Sequence, residues 1–95
     1  ETPMIQTWEG YHNAAVILVL NGDLQKALDL IDEGLLLAGK NDSKTAYISL
    51  YLLKGKILME MKRFYDARTA FERALSLDRF NPDARLLIKQ LESSQ

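Results

Sequence analysis

Two stretches of this chain, forty residues apart, repeat one pattern of small and large side chains. Asp23-Leu24-Gln25-Lys26-Ala27 is echoed by Arg63-Phe64-Tyr65-Asp66-Ala67, and Ile31 stands four residues beyond Ala27 as Phe71 does beyond Ala67. Spacing of four puts each pair on one helix face, a turn apart. Around the second copy, Gly55 and Ala67 let helix backbones approach, Phe71 fills the wedge beside them, and Ala74 leaves room for the next helix. This pattern predicts two antiparallel helix pairs built alike and lying side by side.

Capping chemistry divides the chain into five helices. Thr2-Pro3 offers an N-cap followed by proline at the first helical position, where a missing N–H costs nothing, so the first helix is expected from there to about Leu20. Asn21-Gly22 supplies a left-handed stop, and Asp23 is placed to cap a second helix over about 24–38. Gly39-Lys40-Asn41-Asp42 closes that helix; Ser43 or Asp42 caps a third, reaching about Met61. The third helix is apolar nearly all round, which predicts a central element covered on several sides. Lys62-Arg63 makes the next turn, Phe64 to Leu77 forms the fourth helix, and Asn81-Pro82 opens a fifth ending near Glu92.

The stretch 51–82 resembles the tetratricopeptide repeat: Tyr51, Gly55, Leu58, Phe64, Ala67, Phe71 and Ala74 fall where that motif places such residues, and Pro82 follows. Two departures stand out, Lys54 at a position that is usually apolar and Arg79 where proline is common. In the first copy Gly22 and Ala27 match, Ala15 replaces the small glycine, and Gly34 replaces an alanine. The offset of forty exceeds the usual repeat of about 34 residues. We place the extra length around 39–44, in the loop or its flanking helices.

The resemblance implies an all-α fold, a right-handed superhelical stack of two such hairpins plus a C-terminal capping helix. The expected partition is a single domain over 1–95, with repeat one at about 8–41, repeat two at about 45–81 and the capping helix at about 82–93. Arg85, Lys89, Gln90 and Glu92 beside Ala84, Leu87, Ile88 and Leu91 suit a helix that closes a stack with a solvated face. A start at Glu1 rather than methionine is read as a fragment of something longer.

By the same resemblance, the first helix of each hairpin lines a concave groove that receives a peptide or helix from a partner. The positions carried over are Glu9, His12, Asn13, Val16, Val19 and Leu20, then Ser49, Leu52, Leu53, Lys56, Met59 and Glu60, with Leu86 and Gln90 from the closing helix. That set is apolar in the middle with a few polar groups. Some domains of this kind hold a terminal carboxylate through paired basic and amide side chains. Here the matching sites hold His12, Val16 and Leu53, with Asn13 and Lys56 nearby, which argues against such a clamp and for an apolar or amphipathic segment. A structural reading competes, in which these apolar residues pack against the closing helix or further repeats. Self-association as a scaffold, through an uncapped face, is the other alternative.

Other functional classes find little support. His12 is the single histidine, and its helical neighbours Trp8, Glu9, Ala15 and Val16 supply neither a nucleophile nor a second metal ligand. Asp29, Asp32 and Glu33 share helical spacing but read as a solvated face, and no phosphate-binding glycine loop occurs. No cofactor or metal is expected. Twelve basic against thirteen acidic residues give a net charge of −1, so no bulk positive field draws nucleic acid. The local group Lys54, Lys56, Lys62, Arg63 and Arg68 is interspersed with acids, leaving RNA a minor alternative, and Tyr47, Tyr51 and Tyr65 are expected to staple helices. The longest apolar run, 14–20, is far short of the roughly 20 residues a membrane helix needs. Absent cysteine suits a reducing, cytoplasmic setting.

Overall fold

The structure is a computed structural model that describes residues 7–41 and 43–94. Five helices follow one another: α1 (Trp8–Leu20), α2 (Leu24–Asn41), α3 (Lys44–Glu60), α4 (Phe64–Leu77) and α5 (Pro82–Ser94). No strand occurs among the described residues. α3 packs on α1, α2 and α4, while α5 packs on α4. The apolar circumference of α3 is thus consumed by three neighbours, as its sequence requires.

Three helix starts carry side-chain caps. The Thr7 hydroxyl accepts from Gly10 N at 3.1 Å, the Ser43 hydroxyl from Ala46 N at 3.2 Å, and Asn81 Oδ1 from Ala84 N at 2.9 Å. Each satisfies an amide that the first helical turn leaves without a partner. Thr7, with extended backbone, therefore sets the start of α1; the expected Thr2-Pro3 cap lies outside the described residues. Asp23 departs from expectation, because its side chain makes no hydrogen bond among the described residues. Its backbone carbonyl instead accepts from Ala27 N at 3.0 Å, as the carbonyl of Arg63 does from Ala67 N.

The forty-residue register is visible atom by atom in the two hairpin turns. In the first, Gly22 N donates to Val19 O at 3.0 Å and Asp23 N to Leu18 O at 2.8 Å. In the second, Lys62 N donates to Met59 O and Arg63 N to Leu58 O, both at 2.9 Å. These paired bonds are the Schellman closure, which needs a left-handed residue just beyond the helix. Gly22 supplies it at φ +84°, and Lys62 adopts it at φ +62° despite its side chain.

Equivalent positions pack equivalently. Ala27 and Ala67 are fully buried, as are Ile31 and Phe71, and Ala15 and its counterpart Gly55 are buried too. Bare Gly55 faces the Phe71 ring so closely that an added Cβ would lie 2.6 Å from Cδ1. Gly34, the counterpart of Ala74, is buried where α1 presses on α2, and a Cβ there would stand 3.0 Å from that of Tyr11.

The extra length over the usual repeat is shared by the flanking helices: α2 has 18 residues against 14 in α4, and α3 begins at Lys44, ahead of Tyr51, where the resemblance to the motif opens. Gly39 does not end α2: it stays out of the left-handed region, the helix continues to Asn41, and Ser43 N reaches back to Ala38 O at 3.3 Å. Tyr47 and Tyr51, a turn apart on α3, stack on each other at 6.1 Å between ring centres, and both pack against the core. Tyr65 does not join them; it is 83% exposed.

Candidate functional site

The odd-numbered helices form one wall of the molecule, and a depression of about 330 Å³ opens where they meet. Val19 comes from α1, Leu53, Lys56, Ile57, Met59 and Glu60 from α3, and Leu87 from α5. Helical spacing explains the grouping: 53, 56, 57 and 60 share one face of α3. The floor is apolar, with the Lys56 and Glu60 side chains as its charged groups. Met59 also borders a second depression of about 490 Å³ with Leu86, Lys89, Gln90 and Ser93. Through Met59 the two form one continuous track along α3 and α5.

Of the residues predicted for a groove, Val19, Leu53, Lys56, Met59, Glu60, Leu86 and Gln90 are therefore brought together. Glu9, His12, Asn13, Val16, Leu20, Ser49 and Leu52 do not line these depressions. Leu52 packs against the core, and Leu20 is 80% exposed. His12 meets Trp8 edge to face at 6.4 Å. Burial pushes the His12 imidazole below its ordinary value; a hydrogen bond with Asn13 opposes that shift, and the Lys56 charge adds to it. Reading the sequence alone left out Ile57 and Leu87. The signal for Leu87 was its place one residue from Leu86 and three from Gln90, on a helix treated as mainly solvated.

A larger cleft, about 660 Å³, lies between α2 and α4 with α3 beneath it. Leu28, Leu58 and Ala70 give it apolar surface, and ion pairs span its rim: Lys54 Nζ with Asp32 at 2.8 Å, and Arg63 with Asp66 at 2.7 Å. The first pair accounts for Lys54 at a usually apolar position, since its ammonium reaches across to α2. Arg68 likewise joins Glu72 and Glu92, so Lys54, Arg63 and Arg68 of the expected basic group are each matched by a carboxylate. Asp29 accepts from Gln25 at 3.0 Å, and Asp29, Asp32 and Glu33 are exposed. Among the described residues no three histidine, cysteine or acidic side chains gather as a metal site.

Like helix pairs joined by identical turns, stacked with a further helix behind them, define a helical-repeat domain. Residues 48–81 match the family model of the tetratricopeptide repeat. The fold is similar to that of the Arabidopsis OM64 TPR domain, with a TM-score of 0.76 and 25% sequence identity over 93% of this chain and 68% of that one. No curated protein matches the sequence. Residues 48–81 thus match a tetratricopeptide repeat, and the all-α fold of the chain is that of a tetratricopeptide repeat domain. Domains of this family generally serve as protein–protein interaction modules. No helix among the described residues is long and apolar enough to cross a membrane.

Proposed function

We propose that this domain is a noncatalytic interaction module that seats a peptide or helical segment of a partner protein in the apolar track along α1, α3 and α5. The observation that carries the reading is the meeting of Val19, Leu53, Ile57, Met59 and Leu87 from three helices around one depression. Apolar side chains give such a site its affinity, and the few polar groups at its edge orient the occupant. Lys56 and Glu60 suit an amphipathic segment with charges of both signs. Repeat one at about 8–41, repeat two at about 45–81 and the capping helix at about 82–93 act here as one unit. A cysteine-free chain suits a reducing compartment, and a cytoplasmic setting belongs to the same proposal.

Peptides selected by phage display on the whole domain test this reading. Met59→Gln and Leu86→Glu should each weaken the selected peptides about tenfold or more, as truncating a central apolar anchor does, while exposed Lys26→Ala leaves affinity unchanged. Equal binding by all variants would move the site elsewhere.

A second reading rests on a separate observation. Ile17 and Ile57 are forty residues apart, yet Ile17 is 60% exposed and Ile57 is 1% exposed. α3 has a preceding hairpin against it, whereas α1 has only α2 and α3 among the described residues. Ile17 and Leu20 thus present an apolar edge that a second copy of the chain would cover, making the domain a self-associating scaffold. Sedimentation across a concentration series with Ile17→Glu tests it: a dimer lost in the variant supports the reading, and a monomer at all concentrations ends it.

A further inference from the structure

Arg73 stands on the α4 side of the cleft between α2 and α4, and its partners differ from those of the other cations there. Lys54 and Arg63 are held by Asp32 and Asp66. The Arg73 guanidinium lies over the Tyr51 ring at 5.5 Å and donates to the Tyr51 hydroxyl at 3.5 Å. Both of these partners belong to a neutral phenol. The cleft therefore holds three cations against two carboxylates, and the unmatched charge is the guanidinium.

A guanidinium lying over a ring and bonded once to its hydroxyl is held in place while most of its five donors stay available. A planar fork held in this way matches a carboxylate through two parallel hydrogen bonds. Beside it, a depression of about 420 Å³ shares Tyr51 and Arg73 and is lined further by Leu35, Leu36, Tyr47 and Leu77. Leu36 there is 73% exposed. A cation with spare donors thus sits at the junction between a mixed cleft and an apolar one.

We propose that the Tyr51–Arg73 pair is a second docking site, on the α2–α4 side of the domain, for an acidic peptide that places a carboxylate on Arg73 and a neighbouring large apolar side chain against Leu36 and Tyr47. Charge complementarity selects this occupant. The rim acids are already engaged by Lys54 and Arg63, so an added carboxylate meets attraction from Arg73.

The test uses the whole domain and two fluorescein-labelled peptides, one of three Asp-Leu units and the other of three Asn-Leu units. The Asp-Leu peptide should bind, more weakly as salt rises, and the Asn-Leu peptide about tenfold less well, the value of a charge-assisted hydrogen bond. Arg73→Met keeps the aliphatic stem of an exposed residue and should lose the same factor with an unchanged helical spectrum; Arg73→Lys should lose only part of it. Amide shifts in NMR should gather at Asp32, Leu36 and Arg73. Equal affinity for the two peptides, no binding of either, an unaffected Arg73→Met variant, or shifts gathered at Val19, Met59 and Leu87 would each overturn the proposal. So would a dimer in light scattering that Arg73→Met dissolves, since the occupant would then be a second copy.

Discussion

The Phe71 ring rests on the bare Cα of Gly55, one residue from α4 and one from α3, and nothing larger than hydrogen fits between them. In the first repeat the same two positions hold Ala15 and Ile31, both fully buried. One repeat combines the smallest residue with a large ring; the other gains a methyl group and gives up ring volume. Close-packed interiors tolerate exchanges that conserve volume better than one-sided changes.

Gly55→Ala should therefore destabilise the domain by about 1–3 kcal/mol through overpacking, and Phe71→Ala by about 3–5 kcal/mol through the void it leaves. The double variant Gly55→Ala with Phe71→Ile reproduces the first-repeat pair. Its loss should be smaller than those of Gly55→Ala and of Phe71→Ile added together, because residues in contact couple. Urea denaturation of the three single variants and the pair measures this.

Lys62 holds a left-handed backbone conformation that its counterpart Gly22 adopts without a Cβ. Lys62→Gly should raise stability by up to about 1 kcal/mol, the relief of left-handed strain being partly offset by the greater freedom of unfolded glycine. Gly22→Ala should lower it by about 1–2 kcal/mol, although open space surrounds that position. Thermal melts that move in the same direction for both would disprove the equivalence of the two turns.

Protonating His12 should loosen the fold. Burial lowers its folded pKa below the ordinary 6.5, so between those two values the unfolded chain binds more protons than the native one. The contribution of the neutral imidazole is complete above pH 6.5 and disappears as pH falls through that value toward the folded one. Urea midpoints at about pH 7.5 and about pH 5.5 should separate further in the native sequence than in His12→Gln; equal separations would assign the acid sensitivity to carboxylates alone.

Leu91 is fully buried on α5. Leu91→Ala should cost about 2–5 kcal/mol and release α5 before the rest. Hydrogen exchange would show amides of 82–94 losing protection first, and uniform loss along the chain would mean that the domain opens as one unit.

Much of this fold was legible because helices announce themselves locally. Ser43 and Asn81 cap the helices they precede, and Gly22 ends α1 where a left-handed residue was expected. Gly39 misled because glycine ends a helix only when its backbone turns left-handed, and that depends on the residues around it. Tyr65 misled for a related reason, since an aromatic side chain on a helix is buried only if a neighbour covers its face. The groove was half legible. Residues 53, 56 and 60 follow from helical spacing, but Leu87 enters only because packing on α4 brings α5 beside the same depression. The Tyr51–Arg73 cleft was not legible at all, because residues 22 apart meet there across two helices.

Because α5 packs on α4 and also carries Leu87 and Leu86, loosening of this helix dismantles one bank of the apolar track. Anchorage by Leu91 and shape at Met59 are then inseparable: whatever splints the tail sharpens the mould, and an occupant lying across Leu87 would return the favour by slowing the tail's escape. Affinity in such a domain is set in part some distance from the contact, by how tightly its final turns are held.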